Sequence, residues 1–311
     1  MKDHPRAIFW LIAATAVWGL SFPLVKALHL LHPEDTWVLS CWLLVIRCFF
    51  AALILAVFIP SALRNITRKE WQQSLGLVAF GGPGLLLQGQ GLATTDASVS
   101  AFLTQFYCVL LPIWACVTLR TRPSRRVVIC TTLVLIGMGL LAGIDLRRMH
   151  IGTGELLTLL AATCFTGQIL VLEVPKFSAN RSLTITMLSL LGTSLLAGFF
   201  ALRATPKPVE YLAGWMTVPD LLIMGTITLG CTLFSYLMMN RWQKFVTATE
   251  AGLIYCLEPV CASIFALFMP VWLSRLCGVD YANETLTMNL LVGSLLVTLA
   301  NVLLHWPKRT P

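Results

Sequence analysis

AATAVWGL at residues 13–20 returns as AATCFTGQ at 161–168, 148 positions later, each time inside an apolar run. Gly19 thereby pairs with Gly167. The echo continues in order: LLPIW at 110–114 is answered by LEPVC at 257–261, pairing Pro112 with Pro259 at an offset of 147. LIG at 135–137 is answered by LVG at 291–293 at an offset of 156, and the loop at 271–285 accounts for the gain. Matches in one order at a nearly constant offset indicate a unit present twice.

The repeated unit is a set of membrane crossings. The chain has 311 residues, 57% hydrophobic and 12% charged, with mean hydropathy +0.81, which lies outside the balance of a soluble protein. A helix rises about 1.5 Å per residue and the hydrocarbon layer is about 30 Å thick, so a span needs roughly 17 to 25 apolar residues. Ten runs qualify: 7–29, 36–59, 72–94, 97–119, 127–144, 153–174, 183–203, 219–239, 247–271 and 286–306. The first is full length and continues through Pro23, which reads as a retained span and not a cleaved signal peptide. Five spans per half is an odd number, so the second half enters the bilayer from the opposite side. The expected fold is an all-α integral membrane protein of ten transmembrane helices, arranged as two inverted five-helix repeats at 1–146 and 147–311. Inverted repeats around a central site are a physical route to alternating access.

The net charge of +8 follows the same topology. Of the 22 Lys and Arg residues, 15 fall on the side of the N-terminus and 5 on the other, with Lys26 and Arg47 inside spans. Arg147 and Arg148 run locally against this asymmetry. The positive-inside rule places both termini in the cytoplasm, and the basic charge reads as an orientation signal, with no nucleic-acid partner expected. Nine of ten cysteines lie in apolar runs and Cys277 in a loop, without zinc or redox spacing, so they read as packing residues.

WG in the first span, GLATTDASVSAFLTQFYCVLLP at 91–112, GELLTLLAAT at 154–163 and AGLIYCLEPV at 251–260 together resemble the EamA family of the drug/metabolite transporter superfamily, over essentially the whole chain. The resemblance implies ten helices in two inverted repeats, with helices 1, 3, 4, 6, 8 and 9 around a central cavity. It implies a transporter of the cytoplasmic (inner) membrane that exports a small organic metabolite, amino-acid-like or drug-like. One departure is visible: WG is replaced in the second half by Thr166-Gly167. The rival readings are a sugar-phosphate or nucleotide-sugar exchanger and a non-transporting membrane enzyme or lipid-handling protein. The first needs several buried cations, and only Lys26 and Arg47 are available.

Polar groups in hydrocarbon are costly, so each one is a candidate. Trp18, Gln88, Gln105, Thr166, Tyr236 and Tyr255 are the expected substrate-binding set, because the helices carrying them line the cavity in the resembling family. Glu258, before Pro259, is the one acid deep in a span, either coupling transport to protons or satisfying a backbone group freed by the proline. Arg47, mid-span and unable to discharge, requires partners such as a carboxylate or helix-end carbonyls, and a structural role is favoured. Lys26 reads as a snorkelling interfacial cation. Glu173 and Glu250 read as interfacial partners of Lys176 and Lys244. Pro23 reads as a bend in the first helix and Gly19 as a packing notch.

GGPGLLLQGQG at 81–91 lacks the lysine and the preceding strand of a nucleotide loop and reads as small residues for close helix packing. Gly139 and Gly143 form a GxxxG that could serve a homodimer. No HExxH, GxSxG, CxxC or Walker motif is present, so no catalytic residue, metal or cofactor is expected; the partners are a small-molecule solute and the lipid bilayer.

Overall fold

The computed structural model describes residues 3–33, 36–94, 97–120, 122–143 and 152–306, and these are helical with no strand among them. Arg147, Arg148, Lys2, Lys308 and Arg309, all used in the charge reading, lie outside the described residues. Eight helical stretches are long and apolar enough to cross a bilayer. They are α1 (Asp3–Leu31), α2 (Thr36–Phe58), the stretch Ser100–Thr118, α7 (Thr153–Glu173), α8 (Ser182–Ala204), Val218–Phe245, Ala248–Ala266 and α15 (Met288–His305). Two of the ten expected spans fall outside that set. These are α3 (Arg68–Thr94), whose apolar run is diluted by glycines and glutamines, and α6 (Arg125–Leu141), which has 17 residues.

Three spans are discontinuous. The fourth divides into α4 (Ala97–Thr104) and α5 (Tyr107–Leu119), and the ninth into α12 (Ala248–Tyr255) and α13 (Glu258–Ala266). The eighth runs from α10 (Val218–Thr226) through a π-helical segment, Ile227–Phe234, into α11 (Ser235–Trp242). A short helix, α9 (Pro208–Ala213), precedes α10, and α14 (Met269–Cys277) follows α13. Cys277 therefore closes a short helix and does not lie in a loop, and the ninth span ends earlier than its hydropathy suggests. Pro23 stands inside α1, which remains helical through it.

Small residues set the helix spacing. Down α3, a Cβ added at Gly76 would meet Val171, at Gly84 the Phe165 ring and at Gly91 the Thr158 hydroxyl, so α7 lies antiparallel along this row. That is the role read for GGPGLLLQGQG. At Gly19, an added Cβ would stand 2.8 Å from the Ala262 nitrogen and 3.0 Å from the Glu258 carbonyl oxygen, so α1 crosses α13 at backbone contact. Gly137 and Gly293 face each other across α6 and α15, each added Cβ meeting the other's carbonyl at 2.8 and 2.6 Å. Gly143 lies beyond the end of α6 with φ +61°, where Gly has no steric cost.

Candidate functional site

The centre of the bundle is built on an aromatic cluster. Trp18 of α1 meets Tyr236 of α11 edge-on at 5.5 Å and Tyr255 of α12 edge-on at 5.5 Å, the T-shaped geometry that ring quadrupoles favour. Tyr236 is set by the π-helical segment just before it. Ser235 Oγ donates to the Ala14 carbonyl at 3.1 Å and to the Gly230 carbonyl at 3.2 Å, and Cys231 Sγ to the Val17 carbonyl at 3.2 Å. Those bonds tie the wide turn to α1 one helical turn from Trp18, and π-segments of this kind frequently mark functional positions.

Both broken spans contribute polar groups. Gln105 sits at the α4–α5 break, and Glu258 begins α13 directly after the α12–α13 break. Gln105 Nε2 donates to Glu258 Oε2 at 3.4 Å, joining the two breaks, and the Tyr107 hydroxyl donates to Gln105 Oε1. Glu258 was expected either to couple protons or to satisfy backbone groups, and the partner its side chain finds is Gln105. On this axis of the bundle the thiols of Cys108 and Cys256 also meet, as free cysteines.

Other members of the expected set are occupied locally. Gln88 Nε2 donates to Thr104 Oγ1 at 3.4 Å, tying α3 to α4. Thr166 Oγ1 donates back to the Ala162 carbonyl of its own helix at 2.8 Å. The Tyr255 hydroxyl donates to Gln243 Oε1 at 2.8 Å, while Gln243 Nε2 donates to the Ile169 carbonyl at 2.8 Å. Tyr255 therefore offers the site a ring face while its phenol is used structurally. Gln243, Ser235 and Cys231 did not emerge from the sequence, since a glutamine at a helix end and small polar residues in an apolar run carry no positional signal.

Beside Tyr236 lies a small cavity of about 10 Å³, room for roughly one water, lined by leucines, by Cys48 and by the polar side chains of Gln168, Ser189, Thr193 and Asn240. Asn240 Nδ2 donates to Thr186 Oγ1 at 2.9 Å, but its Oδ1 is buried without a partner. Lys26 is exposed, its ammonium 5.4 Å from the Tyr281 ring centre, in keeping with an interfacial cation. Glu173 and Glu250 correct their expected pairing with lysines, for both carboxylates cap the start of α12. Glu173 accepts from the Ala248 amide at 3.1 Å and Glu250 from the Thr247 amide at 2.9 Å, as orphan amides of a helix start require.

Two polar devices close the bundle's ends. At the end carrying the N-terminus, Glu70 caps α3 through Thr67, whose amide and hydroxyl donate to it at 2.8 and 3.0 Å. Arg181, before α8, grips the same carboxylate with Nε at 2.7 Å and Nη2 at 3.1 Å, and donates to the Ser61 and Asn65 carbonyls. Burial pushes the Glu70 carboxyl up, but the Arg181 and Thr67 hydrogen bonds outweigh it and hold it at about 2. At the opposite end, Asp220 caps α10 through Thr217, whose hydroxyl donates at 2.5 Å. His32 Nε2 lies 2.9 Å from Asp220 Oδ1, and its ring stacks on Trp215 at 5.2 Å.

Within the described residues, no group of three or more His, Cys, Asp or Glu side chains is arranged to hold a metal ion. The model of the EamA-like transporter family matches residues 5–143, the first half of the chain. An uncharacterized transporter of Archaeoglobus fulgidus is 24% identical over 257 residues, covering 81% of this chain and 74% of that protein. A solved crystal structure superposes with a TM-score of 0.72 at 13% identity, covering 97% of both chains, a likeness of fold. The family resemblance read from the motifs therefore holds, and this is a multi-pass membrane protein of transporter type.

Proposed function

We propose, from the premise that residues 5–143 form an EamA-like transporter unit, that this chain carries a small organic solute across the membrane by alternating access. Its halves, 1–146 and 147–311, act as inverted repeats of five crossings each. α3 and α6 complete the ten, with both termini in the cytoplasm of a bacterial-type inner membrane and net movement outward. The observation that carries the reading is the meeting of Trp18, Tyr236 and Tyr255 on three helices of both halves, beside the Gln105–Glu258 bridge between two broken spans. Aromatic walls with few polar groups suit a small-molecule site, and broken helices at mid-depth are where transporters bind their solutes.

The inverted relationship is supported by a residue that touches its own equivalent. Gly137 meets Gly293, 156 positions later in sequence, as the LIG and LVG motifs pair them. A two-fold axis brings a residue lying on it into such a self-contact. The 15 to 5 basic asymmetry supports the orientation.

The test is uptake of a labelled metabolite panel into liposomes containing only this protein. Flux of at least one solute above protein-free liposomes, reduced by Trp18→Ala, is expected. A panel that never exceeds the protein-free rate would return the chain to the non-transporting reading.

A further inference from the structure

Arg47 stands midway along α2, on the face that also carries buried Leu43, Leu44 and Ala51. Arginine does not discharge at any accessible pH, so a guanidinium at this depth needs compensation. The partners the sequence called for are not there. Among the described residues no carboxylate lies within ion-pair distance, and Nε is buried without a hydrogen-bond acceptor. Its neighbours are the Cys48 thiol, with which it makes a side-chain hydrogen bond, the Cys231 thiol and the Tyr236 phenol, none of them a carboxylate. Arg47 is half-buried, and two of its neighbours, Cys48 and Tyr236, line the small interior cavity.

Tyr236 and Cys231 lie within reach of Glu258 as well, so the cation and the acid flank the same aromatic wall without pairing with each other. We infer that Arg47 is the anion-reading group of the central site, and that the solute is a small organic carboxylate whose apolar body rests on Trp18 and Tyr236. This rests on the transporter reading above and narrows it. A half-buried guanidinium without a carboxylate partner disfavours a cationic solute by repulsion, and a neutral solute leaves the charge without a counter-charge; a carboxylate takes the planar fork bidentately.

The test uses probes of one body and different charge: 3-phenylpropionate, phenylalanine, phenethyl alcohol and phenethylamine, with wild type, R47K and R47Q. Both the unfolding midpoint of purified protein and flux into proteoliposomes are read. Wild type is expected to be stabilised by, and to move, at least one of the two carboxylates and not phenethylamine. R47Q should lose that response by tenfold or more and R47K by less. Without solute, R47Q should unfold at the same or a higher temperature, because a cation without a carboxylate partner has been removed; a structural arginine would make R47Q less stable. If R47Q does not fold, that outcome itself overturns the proposal. Movement of phenethylamine or phenethyl alcohol, equal in wild type and R47Q, overturns the carboxylate assignment while leaving the transporter reading intact. Silence of both carboxylates at millimolar concentration also overturns it.

Discussion

The end of the bundle that carries the N-terminus is held by Thr67, Glu70 and Arg181, and the opposite end by Thr217, Asp220 and His32. The members correspond one to one at offsets of 149 or 150, close to the offset of the repeated motifs. Each device is a hydroxyl and a carboxylate capping one helix, with a basic side chain from the loop between two spans of the other half. The difference is the base. Arg181 is a permanent cation that grips two carboxylate oxygens and two loop carbonyls, whereas His32 makes one contact and rests on Trp215. Similar geometry thus yields one closure held by several bonds and one held by a single contact.

The largest effect expected from disturbing that comparison is at the fixed end. Arg181→Ala leaves the Glu70 carboxylate, whose side chain is 2% exposed, with the Thr67 donors alone, and with Arg181 itself 42% exposed should destabilise the protein by about 3 kcal/mol, read as a fall in the unfolding midpoint. Wild-type stability from this clamp should not vary between pH 5 and 8. A carboxyl held at about 2 contributes stability that is present above the ordinary carboxylate range and is lost only as pH falls toward 2.

A smaller effect is expected at the singly held end. His32→Ala leaves Asp220, 1% exposed, with the Thr217 donors, at a cost of about 1 to 3 kcal/mol. The smallest effect sharpens the comparison most. His32→Arg would give this end the planar fork of the other, so it should be held tighter than in wild type. Cys277 lies within electrostatic reach of Asp220. In variants whose one cysteine is Cys277, impermeant-maleimide labelling at a single pH should be severalfold slower in His32→Arg than in wild type. Equal labelling would make the two ends equivalent despite their different bases.

The apolar runs and the close packing at Gly19 and in α3 were legible because they depend on side-chain size and hydropathy, whereas Trp18, Tyr236 and Tyr255, whose rings the structure brings together, were singled out through the family resemblance. The breaks near Gln105 and Cys256 and the π-helical turn before Tyr236 were not legible, since they are changes in backbone hydrogen bonding that hydropathy does not register. Thr166 and Tyr255 were singled out for polarity, yet both hydroxyls are consumed by structural bonds. The absence of a carboxylate partner for Arg47 among the described residues depends on which acids the folded chain fails to bring near. The two end devices left a readable trace, TxxE at 67–70 and TxxD at 217–220, which is the capping-box pattern. Their basic partners come from distant loops and required the fold.

Alternation of the two ends around Tyr236 is the central claim, and it can be measured without knowing the solute. In a cysteine-free background carrying Tyr236→Cys, one end is pinned by a bifunctional cross-linker between cysteines at Gln73 and Asn180, whose side chains now share a 2.8 Å hydrogen bond. In a parallel sample the other end is pinned between cysteines at His32 and Trp215. Oriented vesicles are then exposed to an impermeant maleimide from each side. The account predicts that pinning 73 to 180 leaves position 236 reachable from the opposite side alone, and that pinning 32 to 215 leaves it reachable from the N-terminal side alone. Labelling from the same side in both pinned forms, or from neither, would contradict it.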